Sequence, residues 1–149
     1  MGTHQSPPLE WYGIPQGTKS LALVVEDLDG GEPDGPKVPR VHWLVLNIPP
    51  SLKGLPLGFS GKEMGGDYVG VKEGINWTSP EMFSHGHRFQ FKIIALDDNI
   101  HLRNQVTKEK LLEVIQGHVL GEAVLMAVSE LSPQDKNNDS PFTNLFIIP

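Results

Sequence analysis

Two stretches of this chain are apolar on both faces of an extended backbone, and no other feature narrows the possible folds as much. Ser20 to Glu26 contains Leu21-Ala22-Leu23-Val24-Val25, a run too short for a helix and without a polar alternate face. Arg40 to Ile48 repeats the pattern, with Val41, Trp43 and Val45 as one alternate set and His42, Leu44, Leu46 and Ile48 as the other. Strands of this kind lie centrally in a sheet, covered on both sides. His87 to Leu96 alternates instead. His87, Phe89, Phe91, Ile93 and Ala95 share one face, while Arg88, Gln90 and Lys92 take the other, which is expected to meet water. The three runs are separated by stretches rich in the chain's 16 Gly and 13 Pro, so the fold class is mostly β and not a helix bundle.

The remaining segments are less regular. Ser6-Pro7-Pro8-Leu9-Glu10-Trp11 is extended because each proline fixes its own φ and biases its predecessor away from helix. Asp27 to Pro39 and Ser51 to Ser84 read as Gly- and Pro-rich loops. Thr107 is a good N-cap for a helix running to about Gln116, with Leu111, Leu112, Ile115, His118 and Val119 at spacings of three and four. Gly117 and Gly121 argue against one continuous helix, so a further turn or two through Ala123 and a short strand over Val124 to Val128 are expected. Leu131 to Asn144 is polar and predicts disorder, with Phe142, Leu145 and Phe146-Ile147-Ile148 as isolated apolar residues.

Several function classes drop out. The absence of cysteine removes disulfides, thiolate zinc sites and cysteine nucleophiles. Twelve Lys+Arg against 18 Asp+Glu give a charge of −6, which disfavours a nucleic-acid partner. No apolar run is longer than Ala123 to Val128, far short of a membrane span, and Met1 to Trp11 has no signal-peptide pattern. A cytoplasmic protein is expected, while the oligomeric state cannot be read from the residues.

Projection from the strand period puts three ionisable groups on apolar faces near strand ends. Asp27 continues the Leu21, Leu23, Val25 set, His42 lies with Leu44 and Leu46, and His87 lies with Phe89 and Phe91. Buried ionisable groups must be paired or line a cavity, so one pocket at the sheet rim holding Asp27, His42 and His87 is the economical reading. A carboxylate accepting an imidazole N–H favours the cationic ring, and two such rings suit phosphate or carboxylate. The plainer alternative is that each histidine is a satisfied core residue. A metal-dependent hydrolase built on His85, His87 and His42 is the competing reading, since residues two apart on a strand share a face. His118 and Glu122, four apart, could pair on a helical turn. Ser20, Ser84 and Ser129 lie in no nucleophile elbow, and the paired glycines match no phosphate loop.

The combination of Ser6-Pro7-Pro8-Leu9-Glu10-Trp11, Glu26-Asp27-Leu28-Asp29, His42-Trp43, Asn47-Ile48-Pro49-Pro50, His85-Gly86-His87-Arg88-Phe89 and Gly117-His118-Val119-Leu120 resembles the phosphatidylethanolamine-binding protein family, the Raf kinase inhibitor-like proteins. The wording is closest to a plant and bacterial branch of uncharacterised members. The resemblance covers Ser6 to Ser129 and leaves 130–149 as a non-family tail, with the domain shortened at its N-terminus and within 60–84. It implies a β-sandwich-like fold: a central antiparallel sheet, a smaller second sheet and one or two peripheral helices. It also implies a pocket for a phosphate-like anion or a phospholipid head group, lined by Asp27, Asp29, His42, His87, Phe89 and Pro80, with Arg88 as a structural neighbour. No cofactor, no resident metal and no catalysis are implied; a kinase or a protease is the implied protein partner. A protein-interaction module with a vestigial pocket is a further alternative. Three departures stand out: Leu28 replaces the usual proline of Asp-Pro-Asp and should leave that turn less rigid, Phe89 replaces a frequent tyrosine, and only Pro80 remains of a proline-rich stretch. The shortened chain is expected to leave part of the sheet uncovered.

Overall fold

In the computed structural model, which describes residues 6–30, 35–36, 38–59, 86–101, 107–128 and 143–148, the two doubly apolar runs sit side by side within one sheet. The strands are β1 (Leu9–Tyr12), β2 (Ser20–Asp27), β3 (Arg40–Ile48), β4 (Gly54–Leu55), β5 (Arg88–Leu96), β6 (Val119–Val128) and β7 (Thr143–Phe146), with a helix α1 (Lys108–Val114) before β6. The larger sheet has the order β3-β2-β5-β6 and is antiparallel throughout. The smaller has the order β4-β1-β7, antiparallel between β1 and β4 and parallel between β1 and β7. The fold is thus the mostly β, two-sheet architecture that the sequence predicts.

The central sheet is buried on both faces. On one side Leu21, Leu23, Val25, Trp43, Val45, Phe91 and Ile93 meet Leu9, Trp11 and Leu55 of the small sheet. On the other, Ala22, Val24, Leu44, Leu46, Ile94 and Leu96 pack with Leu111 and Ile115 at α1. The second face of β5 is therefore only partly wet. Gln90 and Lys92 are half-buried, and Ile94 and Leu96 lie beneath the helix, where polar–apolar alternation gives way to a two-sided core.

Strand β3 departs from strict alternation twice. Val25 pairs with Trp43 but Glu26 pairs with Val41, so His42 is an extra residue on β3. Leu21 pairs with Ile48 and Leu23 with Val45, which places a second bulge at Leu46-Asn47, where Asn47 takes φ 56°. Each bulge turns one residue to the other face. Ile48 consequently joins Trp43 and Val45, not Leu44 and Leu46, and His42 leaves the Leu44 face as well.

The C-terminal third differs most from expectation. α1 is capped by the Thr107 hydroxyl, which accepts from Lys110 N at 3.1 Å, and it ends at Val114. Gly117, at φ +82°, turns the chain directly into a strand beginning at Val119, so no helical turn extends to Ala123. The cause is long-range: nine residues of β6 find ladder partners along β5, from Leu96↔Val119 to Arg88↔Val128. The tail is not wholly irregular either. β7 pairs residue for residue with β1, Ile147 is buried in the intersheet core, and Ile148 bridges to Glu122 of β6. Within the expected loop 51–84, Gly54–Leu55 is strand; the stretch 60–84, in which shortening is expected, lies outside the described residues.

Candidate functional site

The last residue of β2 and the residue before β5 are brought together because those strands are antiparallel neighbours, with Asp27 opposite Phe89. Asp27 is 6% exposed, and its Oδ2 lies 2.8 Å from Nδ1 of His87. Its Oδ1 accepts the backbone N–H of Asp29 at 3.0 Å. Both carboxylate oxygens are therefore partnered, as a buried carboxylate requires. With Nδ1–H donated to Asp27, the other ring nitrogen, Nε2, is the His87 atom that can address a ligand. Gly86 sets this geometry: its φ of +81° lies in the left-handed region and turns the chain so that β5 starts only at Arg88.

The same glycine weakens the metal reading. His87 lies before β5, which starts at Arg88, and Gly86 is left-handed, so the strand rule for residues two apart does not carry back through Gly86. His85 lies outside the described residues, and among those described no group of three or more His, Asp or Glu could hold a metal ion.

His42 reaches the site through the first bulge. Its ring meets Phe89 edge-on, with centroids 5.2 Å apart and planes at 74°. Phe89 is buried beside Phe91 and Trp43, so the imidazole rests on an apolar wall. Strict alternation puts His42 on the Leu44 face; the bulge in β3 turns it to the face that carries Phe89.

Asp29 has a different task from that expected of an anion ligand. Its carboxylate accepts from Nε and Nη2 of Arg88 at 3.0 and 2.8 Å, and from the Arg88 backbone N–H at 2.8 Å. The adjacent carboxylate pushes the Arg88 guanidinium pKa up from its ordinary value, mainly through the hydrogen bond. Since Arg88 is exposed, solvent screens the pair and it adds little to stability; its effect is to fix the turn. Leu28 completes the clasp, donating its N–H to the Arg88 carbonyl at 2.8 Å. Proline cannot make that bond, so the departure at Leu28 is offset by a tie, and the turn is held more firmly than its composition suggests. Gly30 closes the loop behind it: its carbonyl accepts from Val38 N at 2.9 Å, and a Cβ there would meet Val38 O at 2.8 Å.

Glu26 is a participant that pattern reading misses. It is buried on the opposite face of β2, where Nζ of Lys108 approaches Oε2 to 2.7 Å and ties α1 to the strand that carries Asp27. Nothing short of tertiary contact signals this, because the partners are 82 residues apart. Pro80 lies outside the described residues, as does Trp77. His118 pairs not with Glu122 but with Asp97, Nδ1 to Oδ1 at 2.8 Å, at the far end of the sheet.

Comparison with known proteins agrees with this architecture. The family model for phosphatidylethanolamine-binding protein matches residues 1–130. A UPF0098 protein of Methanothermobacter thermautotrophicus is 37% identical over 131 residues, covering 85% of this chain and 83% of that protein. A UPF0098 protein of Chlamydia muridarum is also 37% identical, over 134 residues, with 87% and 85% covered. Among solved structures, a Chlamydia trachomatis protein described as a phosphatidylethanolamine-binding protein homologue superposes with a TM-score of 0.69 at 31% identity, covering 86% of this chain and 82% of that one. YbcL of Escherichia coli gives 0.63 at 27% identity, with 87% and 82% covered. By the extent of the family match and the identity of these relatives, the chain belongs to the phosphatidylethanolamine-binding protein family.

Proposed function

We propose that the chain is a binding and regulatory protein whose rim of Asp27, His87, His42 and Phe89 accepts a phosphate-bearing group, free or as a phospholipid head group. The observation that carries this reading is the 2.8 Å contact between Asp27 Oδ2 and His87 Nδ1, beside a second imidazole seated on Phe89. The carboxylate holds the Nδ1–H, so a protonated ring would donate from Nε2 to an anionic oxygen. Asp29 and Arg88 serve as the clasp that holds the Asp27 turn against His87. The description of the matching family, which names a phosphoryl head group as ligand, supports the same class.

Isothermal titration of the whole chain with inorganic phosphate and with phosphorylethanolamine, at mildly acid pH, tests the proposal. Loss of a charge-assisted hydrogen bond is worth about 2 kcal/mol, so His87→Gln is expected to weaken binding roughly thirtyfold. Stronger binding of phosphorylethanolamine assigns the head group; equal binding assigns free phosphate. No binding by the wild type, or equal binding by His87→Gln, overturns the reading. A kinase or a protease is the partner class suggested by the family resemblance, and pull-down with the wild type against a His42→Ala/His87→Ala pair tests whether the rim takes part.

A further inference from the structure

The C-terminal segment is held by the edges of both sheets at once. β7 lies parallel to β1, with Leu9↔Thr143, Glu10↔Asn144, Trp11↔Leu145 and Tyr12↔Phe146 as partners. The other edge of β1 is taken by β4, so without β7 it would be an edge strand with open N–H and C=O groups. The chain then crosses to β6, the edge of the large sheet, where Ile148 exchanges both backbone hydrogen bonds with Glu122, each 3.1 Å. Two strand edges thus frame one groove.

The groove is shaped for a backbone and an aliphatic anchor. Ile147 N donates to Tyr12 O at 2.8 Å, and its side chain, 5% exposed, sits in the intersheet core, whereas Ile148 is 70% exposed. Gly13 holds the floor open: it lies at φ +78°, and a Cβ there would meet Ile147 O at 2.9 Å. Recognition is therefore by main-chain pairing with a side chain set into the core, the mode in which an extended segment is added to a sheet edge. A short terminal ladder of this kind belongs to the parts of a structure that open at less than the cost of global unfolding. The segment lies beyond the family match, which ends at residue 130. Residues 129–142 join it to β6, a contour on the order of 45–50 Å at full extension, long enough to reach a neighbouring molecule.

We propose that this groove is a strand-docking site with an exchangeable occupant: it accepts the segment Thr143 to Ile148 of a second copy in place of its own, giving a strand-swapped dimer. The identical segment makes the same ladder with β1, the same bridge to Glu122 and the same Ile147 contact. Exchange therefore gains no bond and loses none, and protein concentration decides between monomer and dimer. Reciprocal exchange closes the pair about a two-fold axis, so assembly stops at two. The groove uses none of Asp27, His42 and His87, so it stands or falls apart from the phosphate reading.

The chain has no cysteine, so introduced cysteines report the pairing directly. Glu10 and Asn144 are register partners, and a disulfide between those positions reads which tail lies on which β1. Full chains carrying Glu10→Cys and Asn144→Cys are mixed, held at high concentration below the melting temperature and oxidised in a glutathione buffer. A disulfide-linked heterodimer is expected, rising with concentration. Its yield should be at least about tenfold that of a mixture of Glu10→Cys with Glu113→Cys, an exposed helix position that reads random collision. The double variant Glu10→Cys/Asn144→Cys, when dilute, should close the same bond within one chain, and sedimentation of the wild type should show a dimer that grows with concentration. A wild type that stays monomeric, no heterodimer while the intrachain bond forms, or a yield no greater than with Glu113→Cys overturns the exchange. Failure of the intrachain bond overturns the groove itself.

Discussion

Asn47 shows how one side chain can hold a fold together from an unfavourable backbone position. It sits at φ 56°, where most residues are strained, yet its amide donates to Ile100 O at 2.9 Å and accepts from Ile100 N at 2.7 Å. The left-handed backbone is tolerable for Asn, and the two bonds tie the segment after β5 to the bulge in β3. Asn47→Ala should destabilise the chain by about 2–3 kcal/mol, from two hydrogen bonds and the added backbone strain. Asn47→Gly should cost less, since glycine accepts the φ. Chemical denaturation of the two variants checks the order, and equal stability of Ala and Gly would contradict it. Asp27 is the comparable case at the site, where both oxygens are committed and the partner His87 is thereby given one available nitrogen.

Among the elements, turns and bulges decide what the strands can present. Gly86 is open on its Cβ side, so a substitution there meets no neighbour and is strained only through φ +81°. Gly86→Ala is therefore expected to cost about 1 kcal/mol of stability and to weaken phosphate binding by re-aiming His87. Gly86→Asn should retain more of both, because Asn visits the left-handed region more easily. Thermal melts together with phosphate titration distinguish this from a simple packing loss, which would lower stability and leave the order of Ala and Asn unexplained. The three main strands were legible from two-sided apolar runs and alternation, with β3 starting and ending where predicted at Arg40 and Ile48. The facing of His42 and Ile48 was not, because a period of two is readable only until a bulge interrupts it, and the bulges are defined by pairing with β2. The helix N-cap at Thr107 was legible for the opposite reason: its hydroxyl acts on a backbone amide three residues away.

The molecule as a whole is closed by a segment beyond the family match. β7 adds a parallel strand to β1, Ile147 N donates to Tyr12 O at 2.8 Å, and the Ile147 side chain is 5% exposed in the core between the sheets. Ile147→Ala should accordingly destabilise the entire domain by about 2–4 kcal/mol. A melt no different from the wild type would show that the tail is dispensable. The outer side of β6 stands in contrast: Val124, Met126 and Val128 are 47–59% exposed, so apolar surface does remain uncovered on that edge strand. Dye binding by the native chain, reduced in Met126→Lys with an unchanged melt, is the expected signature of that surface.

The sequence by itself determined the mostly β class, three of the four long strands (β2, β3 and β5) and the helix start, and it singled out Asp27, His42 and His87 as candidates. These depend on alternation, local capping and an ordered set of motifs, all of which are properties of neighbouring residues. Tertiary structure alone decided which face His42 turns to, that Asp29 holds Arg88, that His118 takes Asp97 as partner instead of Glu122, and that the tail completes the small sheet. Each of those outcomes depends on a partner distant in the chain, and register and cross-sheet pairing, not local pattern, choose that partner.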